Sequence, residues 1–106
     1  MPKYLLRASL TAEGARGTLK EGGTARQAVV EGAVRGQGGT VEAFYYAFGD
    51  EDVYVIADLP DDASAAAVSL TVSASGAVRT STTVLMTPEQ VDEASKKSVE
   101  YRAPGA

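Results

Sequence analysis

The sequence predicts one α+β domain whose elements follow the order strand, helix, strand, strand, helix, strand. Two runs rich in β-branched and aromatic residues, 41–48 and 53–58, flank the turn residues 49–52, as in a tight β-hairpin. A helical pattern precedes this hairpin and another follows it, and the length of 106 residues suits a single domain. This order is that of the ferredoxin-like βαββαβ folds. Their antiparallel sheet carries both helices on one face, because the two crossovers are right-handed.

The first strand is predicted over residues 3–10, where apolar and other side chains alternate. Arg7 is a charged residue in the middle of this strand. Thr11 then has the character of an N-cap, because its hydroxyl can accept a hydrogen bond from the backbone of the first turn. It opens a weak helical segment that we expect to end at Gly22 and Gly23.

The main first helix is predicted to begin at Thr24. Thr24 and Gln27 have the spacing of a capping box, in which each side chain bonds to backbone of the first turn. Gly38 and Gly39 supply a stop in the left-handed conformation. Four apolar residues recur at helical spacing and are expected to face the sheet: Ala25, Ala28, Val29 and Ala33.

The hairpin strands are apolar on both sides. Residues of the first strand divide by alternation into Val41, Ala43, Tyr45 and Ala47 on one side and Glu42, Phe44, Tyr46 and Phe48 on the other. An antiparallel sheet with one face in water would alternate apolar with polar residues instead. The helices can cover one face, so the other is expected to meet a partner chain or to enclose a ligand. Pairing of two such faces about a two-fold axis would form a dimeric α+β barrel.

The second half of the chain repeats the scheme. Residues 60–62, Pro-Asp-Asp, end the hairpin, and an alanine-rich helix follows over 63–75 with Gly76 as its stop. The last strand is predicted over 77–86, and a short helix over 88–98 begins with the capping-box residues Thr87 and Gln90. The alanine-rich helix is expected to face the sheet through Ala63, Ala66, Ala67, Leu70 and Ala74. The domain thus spans residues 1–99, and 100–106 form a tail.

Composition excludes several classes of function. The chain has no Cys and no His, which excludes disulfides, thiolate nucleophiles, zinc-thiolate and imidazole metal sites, and His-based triads. The net charge of −4, with no basic stripe, argues against a nucleic-acid partner. No apolar run approaches the ~20 residues of a membrane span, and the N-terminus lacks the long apolar region of a secretory signal. We therefore expect a cytoplasmic protein that contacts no membrane and needs no cofactor.

Four segments occur in an order and spacing that resemble the GYD-domain family: 11–14, 48–52, 60–62 and 76–80. The resemblance covers residues 2–99 and implies the fold of the dimeric α+β barrels rather than a particular reaction. The family's central motif contains a Gly, one variable residue, a Tyr and an Asp. Gly49 and Asp52 match it, but Glu51 stands at the position of the Tyr, so the resemblance does not carry over any role that needs that phenol.

The acidic turn is the first feature that could carry chemistry. Asp50, Glu51 and Asp52 are adjacent, and close carboxylates favour a bound cation or a general base. The spacing lacks the ligand pattern of a calcium loop. A solvated turn, shaped by Gly49 and by local bonds to Asp52, is therefore the favoured interpretation, and no metal site is predicted.

Arginines and tyrosines on the strands are the remaining candidates. Arg7 and Arg79 could hold a carboxylate or an enolate inside the barrel, although pairing with Asp52, with Asp58 or with a partner chain is the simpler expectation. Three tyrosines could line a pocket or serve only as core and interface aromatics. The candidate ligand-binding residues are Arg7, Tyr45, Tyr46, Asp52, Tyr54 and Arg79. No residue is assigned a catalytic role.

Two functions remain open on this basis. The first is a small module that forms homodimers or larger homo-oligomers through its sheet face, with a small-molecule ligand as a secondary role. The alternative is a cofactor-independent enzyme of oxygenase, isomerase or cyclase type. That alternative rests on likeness of fold, which does not give function. It would need a dry cavity containing an acid or base beside Arg or Tyr donors.

Overall fold

A computed structural model describes residues 1–106. It contains four strands and four helices, each connected by short loops: β1 Lys3–Leu10, α1 Ala12–Glu21, α2 Gly23–Gly36, β2 Thr40–Tyr46, β3 Val53–Asp58, α3 Asp62–Ala74, β4 Val78–Leu85 and α4 Pro88–Ser95. The strands form one antiparallel sheet in the order β2-β3-β1-β4. This order and the placement of the helices confirm the predicted ferredoxin-like α+β fold. None of the helices combines the length and apolar character needed to cross a bilayer.

The sheet has a covered face and an open face. On the covered face, Tyr4 and Leu6 of β1 lie opposite Ala57 and Val55 of β3, and these side chains are buried together with Val34 of α2 and Ala65 of α3. The intervening residues of each strand point to the open face, which no helix of this chain covers. The hydrophobic core is therefore a single layer between the sheet and the helices.

Tyr4 is the only tyrosine in the fully buried core. It is 1% exposed, and its hydroxyl donates a hydrogen bond of 2.6 Å to Oδ1 of Asp62 at the start of α3. This bond to a carboxylate, as the larger cause, and burial, as the smaller one, raise the pKa of Tyr4 to about 12. The neighbouring Asp61 caps α3 by accepting from the Ser64 amide at 2.8 Å. The same bond holds the pKa of Asp61 below its usual value.

A β-bulge at Glu42 changes the predicted faces of β2. Val41 lies opposite Ala57 and Ala43 lies opposite Ile56, so the register shifts by one residue between them. Val41 therefore shares the covered face with Phe44 and Tyr46, and all three pack against the core. The prediction that Val41 lies on the same side as Tyr45 was wrong, because the extra residue of a bulge inverts the alternation.

The connection between β2 and β3 is wider than the predicted tight hairpin. β2 ends at Tyr46, and six residues, 47–52, precede β3. The Ala47 amide bonds to the Asp52 carbonyl oxygen at 2.8 Å and closes this loop. Gly49 does not adopt a positive φ, so the loop does not depend on a left-handed conformation at this glycine.

The first helical region is two helices. Thr11 caps α1 as predicted, since its hydroxyl accepts from the Gly14 amide at 3.2 Å. Gly22, at φ 87°, separates α1 from α2. The prediction of a capping box at Thr24 was wrong, because α2 begins at Gly23 without a side-chain cap.

Both longer helices face the sheet through residues other than those predicted. In α2, Val34 is buried and Val30 is half-buried, whereas the predicted Ala25, Ala28, Val29 and Ala33 are exposed. In α3, Ala65 and Val68 are buried, and the predicted Leu70 is 72% exposed. Small side chains occur on all sides of both helices. The sequence therefore shows no distinct apolar stripe that would identify the face towards the sheet.

The C-terminal arm, residues 86–106, extends away from the domain. Its helix α4 has the predicted capping box, in which Thr87 and Gln90 bond to each other's backbone amides, but ends at Ser95 rather than Ser98. Every residue from Met86 to Ala106 is exposed. The arm contributes to a longest dimension of 57 Å.

Candidate functional site

Most of the predicted site residues lie on the open face of the sheet. The strand register places Tyr45 opposite Tyr54, Tyr54 opposite Arg7, and Arg7 opposite Ser81. Directly opposed residues of antiparallel strands share a face and lie close together. These four residues therefore form one row across all four strands, which we call the Arg7 row.

Arg7 is the centre of this row and is incompletely bonded. Its Nη2 donates to Oγ of Ser81 at 3.3 Å, while its Nε is buried and has no hydrogen-bond partner within the chain. The expected pairing with Asp52 or Asp58 was wrong. Asp52 accepts from the Leu10 amide at 2.8 Å, and Asp58 pairs with Lys3. A buried donor without a partner is costly, so an acceptor brought from outside the chain would be stabilising here.

Arg79 lies beside the row but is not part of it. It stands opposite Ser9, which follows Arg7 by two residues on β1 and so shares the open face. Unlike Arg7, Arg79 is exposed. Two arginines therefore occupy the same end of the open face.

The three candidate tyrosines divide between the two faces. Tyr45, 71% exposed, and Tyr54, half-buried, lie in the Arg7 row. Tyr46 points to the covered face, where its hydroxyl donates to the Gly23 carbonyl oxygen at 2.9 Å. Its ring meets Phe44 edge-on at 5.4 Å between centroids. Burial raises the pKa of Tyr46, and the positive charge of Arg26 opposes this rise. The structure therefore does not bring Tyr46 together with the other two.

The rest of the open face has an apolar centre and a charged end. Next to the Arg7 row, half-buried Leu5, Ile56 and Ala43 lie opposite one another. At the far end, Nζ of Lys3 contacts Glu42 and Asp58, each at 2.9 Å. These hydrogen bonds, to Asp58 first and then to Glu42, raise the pKa of Lys3.

The acidic turn does not converge on a cation. Glu51 accepts from the Ser9 hydroxyl at 2.6 Å, Asp52 accepts from the Leu10 amide, and Asp50 is exposed. No three acidic side chains of the chain come together as a group that could hold a metal ion. Glu51 and Asp52 instead tie the loop to the end of β1. Asp52 is thus a structural residue in this fold, outside the Arg7 row.

A cavity on the covered face was missed by the sequence reasoning. It has a volume of about 310 Å³ and lies between the sheet and the helices. The signal that could have revealed it is the scarcity of large side chains on the helices, which carry Gly, Ala and Val where a filled core would need Leu or Phe. Its apolar wall includes Leu6, Val30, Phe44, Val55, Val68 and Val72.

Comparison with known proteins identifies one relationship. The family model of the GYD domain matches residues 4–95 of the chain. This range contains the four helices, strands β2 to β4 and all of β1 except Lys3, together with all six candidate ligand-binding residues. No curated protein and no solved structure matches the chain significantly.

Proposed function

This chain belongs to the GYD-domain family, and we propose that it is a self-associating module whose open sheet face is the interface between copies. The observation that carries the proposal is the apolar centre of that face, formed by Leu5, Ile56 and Ala43 in one cross-strand row. Exposure of such a row to water is unfavourable, since removing each CH₂ group from water stabilises a protein or complex by about 0.8 kcal/mol. A second copy of the same face would remove it from water.

The arrangement of polar groups supports a symmetric partner. Interfaces between proteins commonly have an apolar centre and a polar rim. Here Arg7 and Arg79 lie at one end of the face, and Glu42, Asp58 and the Lys3 that pairs with both lie at the other, which is left with a charge of minus one. A two-fold axis that reverses the strand direction would bring the basic end of one copy towards the acidic end of the other. Such a self-complementary face is what a closed dimer requires.

Native mass spectrometry of the full chain would test this proposal. We expect a dimer or a larger closed oligomer for the natural chain and a monomer for Ile56→Lys, because the new charge would be buried without a partner. Val29→Lys is the matched control, since Val29 is apolar and 54% exposed on α2, away from the open face. Circular dichroism would verify that both variants retain the fold.

Two outcomes would contradict the proposal. One is a monomeric natural chain at micromolar concentration. The other is equal association of the natural chain and Ile56→Lys, which would place the interface on another surface.

A second candidate function is the binding of a small acidic molecule at the Arg7 row. The observation that favours it is the buried Nε of Arg7, which has no partner within the chain. In an assembled barrel this row would be shielded from water, which strengthens a bond between the guanidinium and a carboxylate or enolate. A cofactor-independent reaction would use the same place. The mass spectrum of protein purified from its own host would support this function through an added small mass that is lost on denaturation.

A further inference from the structure

We propose that the cavity between the sheet and the helices is a binding site for a small, uncharged, apolar molecule. We call it the helix-side cavity. It lies between the helices and the covered face, and of the Arg7 row only Arg7 itself is among its lining residues. The inference therefore goes beyond self-association and does not require a second copy of the chain.

The size of the cavity is that of a ligand site. Close-packed interiors contain few voids larger than a water molecule, whereas this cavity has a volume of about 310 Å³. Ligand pockets begin at about 300 Å³, and an engineered apolar cavity of about 150 Å³ stays dry and binds benzene. The helix-side cavity thus has room for a molecule of about two small rings or an equivalent branched hydrocarbon.

The separation of the helices explains why the cavity exists. Helix α2 packs on the β2 side of the sheet and α3 packs on the β4 side. Between them, the side chains of Leu6 and Val55 on the central strands line the floor. Val30 of α2 and Val72 of α3 line the two walls and are too short to fill the space.

Hydrogen bonding within the chain determines the chemical class of the ligand. The hydroxyls around the cavity already have partners: Thr18 donates to the Gly14 carbonyl oxygen, Tyr46 to that of Gly23, and Ser75 to that of Val72. Ser69 pairs with the hydroxyl of Thr82. A polar ligand would therefore lose its bonds to water without replacing them.

The charged residues at the cavity also give no net attraction to an ion of either sign. They are Arg7, Glu13, Glu21 and Arg26, and Nη1 of Arg26 lies 3.7 Å from Oε2 of Glu21. The formal charges of these two arginines and two glutamates thus cancel. An uncharged molecule with an apolar body therefore suits both the apolar wall and this balance of charge.

A fluorescence titration of the full chain with N-phenyl-1-naphthylamine, an uncharged probe that brightens in apolar surroundings, would test the inference. We expect saturable binding by the natural chain. Val30→Phe should weaken it by about tenfold or more, because the ring occupies the space that the probe needs. Val29→Phe adds the same ring to the adjacent position, which is exposed outside the cavity, and should leave the affinity unchanged.

Two further variants make the result decisive. Val72→Phe fills the cavity from the opposite wall and replaces Val30→Phe if circular dichroism shows that the latter does not fold. Ile56→Lys alters only the open face and should retain binding even if it abolishes association. The inference would be overturned by an absence of saturable binding, by equal affinity in the filled and natural cavities, or by loss of binding in Val29→Phe or Ile56→Lys.

Discussion

The two faces of the sheet are made by the same four strands yet serve different purposes. On β1, Leu6 is buried against the helices, and the adjacent Leu5 is half-buried on the open face. The covered face carries almost no charge, whereas the open face combines an apolar row with Arg7, Arg79 and the Lys3 cluster. The difference teaches that apolar residues on one face specify the fold of the single chain, and those on the other are available for assembly.

Replacement of these two leucines would test the contrast most directly. Leu6→Ala should lower the free energy of unfolding by about 2–5 kcal/mol, because it leaves a space in the core. Leu5→Ala should cost only about 1 kcal/mol in the single chain, where Leu5 is partly in water. The measurement is urea unfolding at several protein concentrations, because association adds a concentration-dependent term.

The concentration dependence distinguishes the two faces. Leu5→Ala should weaken the dependence of stability on protein concentration. Leu6→Ala should preserve this dependence under conditions in which the variant is folded. Equal losses of stability in the two variants, with equal dependence on concentration, would show that the faces do not differ in this way.

Helix α1 offers a smaller test of how tightly the covered face holds its helices. Gly14 lies against the carbonyl oxygen of Ala77, so that a Cβ at this position would collide with backbone, whereas a Cβ at Gly17 would meet nothing within 4 Å. We expect Gly14→Ala to destabilise by about 1–3 kcal/mol through overpacking. Gly17→Ala should stabilise by about 0.5–1 kcal/mol, since alanine is the better helix former. Thermal unfolding of both variants, compared with the natural chain, would detect shifts of opposite sign.

A pH titration should show the smallest difference between the faces. The pKa of Tyr4 is raised to about 12, so the folded chain holds this proton more tightly than the unfolded chain, in which a Tyr has a pKa near 10. The stabilisation is complete below about pH 10 and is lost as pH rises towards 12. Tyr4→Phe should therefore reduce the alkaline loss of stability and leave the part due to Lys3, whose pKa is also raised.

Tyr45→Phe, on the open face, is the control for this titration. Its hydroxyl is exposed and makes no bond to a carboxylate, so the variant should follow the natural chain. Urea midpoints measured between about pH 8 and 12 would separate the curves. Coincidence of the Tyr4→Phe curve with that of the natural chain would contradict the assigned role of the bond between Tyr4 and Asp62.

Local signals in the sequence predicted much of the fold. The bounds of β3 agree with the prediction, 53–58, because turn residues and Pro60 mark both ends of an apolar run. Thr11, Gly38 and Gly76 act as the predicted cap and stops, since capping and positive φ depend on the residue itself and its near neighbours.

Features that depend on distant contacts could not be predicted in this way. The bulge at Glu42 arises from pairing with β3, and nothing within β2 itself specifies it. The inner face of α3 is chosen by where the sheet lies, because alanines occur all around the helix. Likewise, the sequence shows Arg7 as a charge within an apolar strand, but its partner Ser81 follows from a register between strands more than seventy residues apart.

The C-terminal arm has a practical consequence for any measurement of assembly. The radius of gyration is 17.0 Å, whereas a compact chain of this length would have about 13 Å. A molecule with such a projection diffuses more slowly than a sphere of equal mass. On a gel-filtration column calibrated with compact standards, a single copy would therefore elute at an apparent mass well above its own and would resemble a dimer.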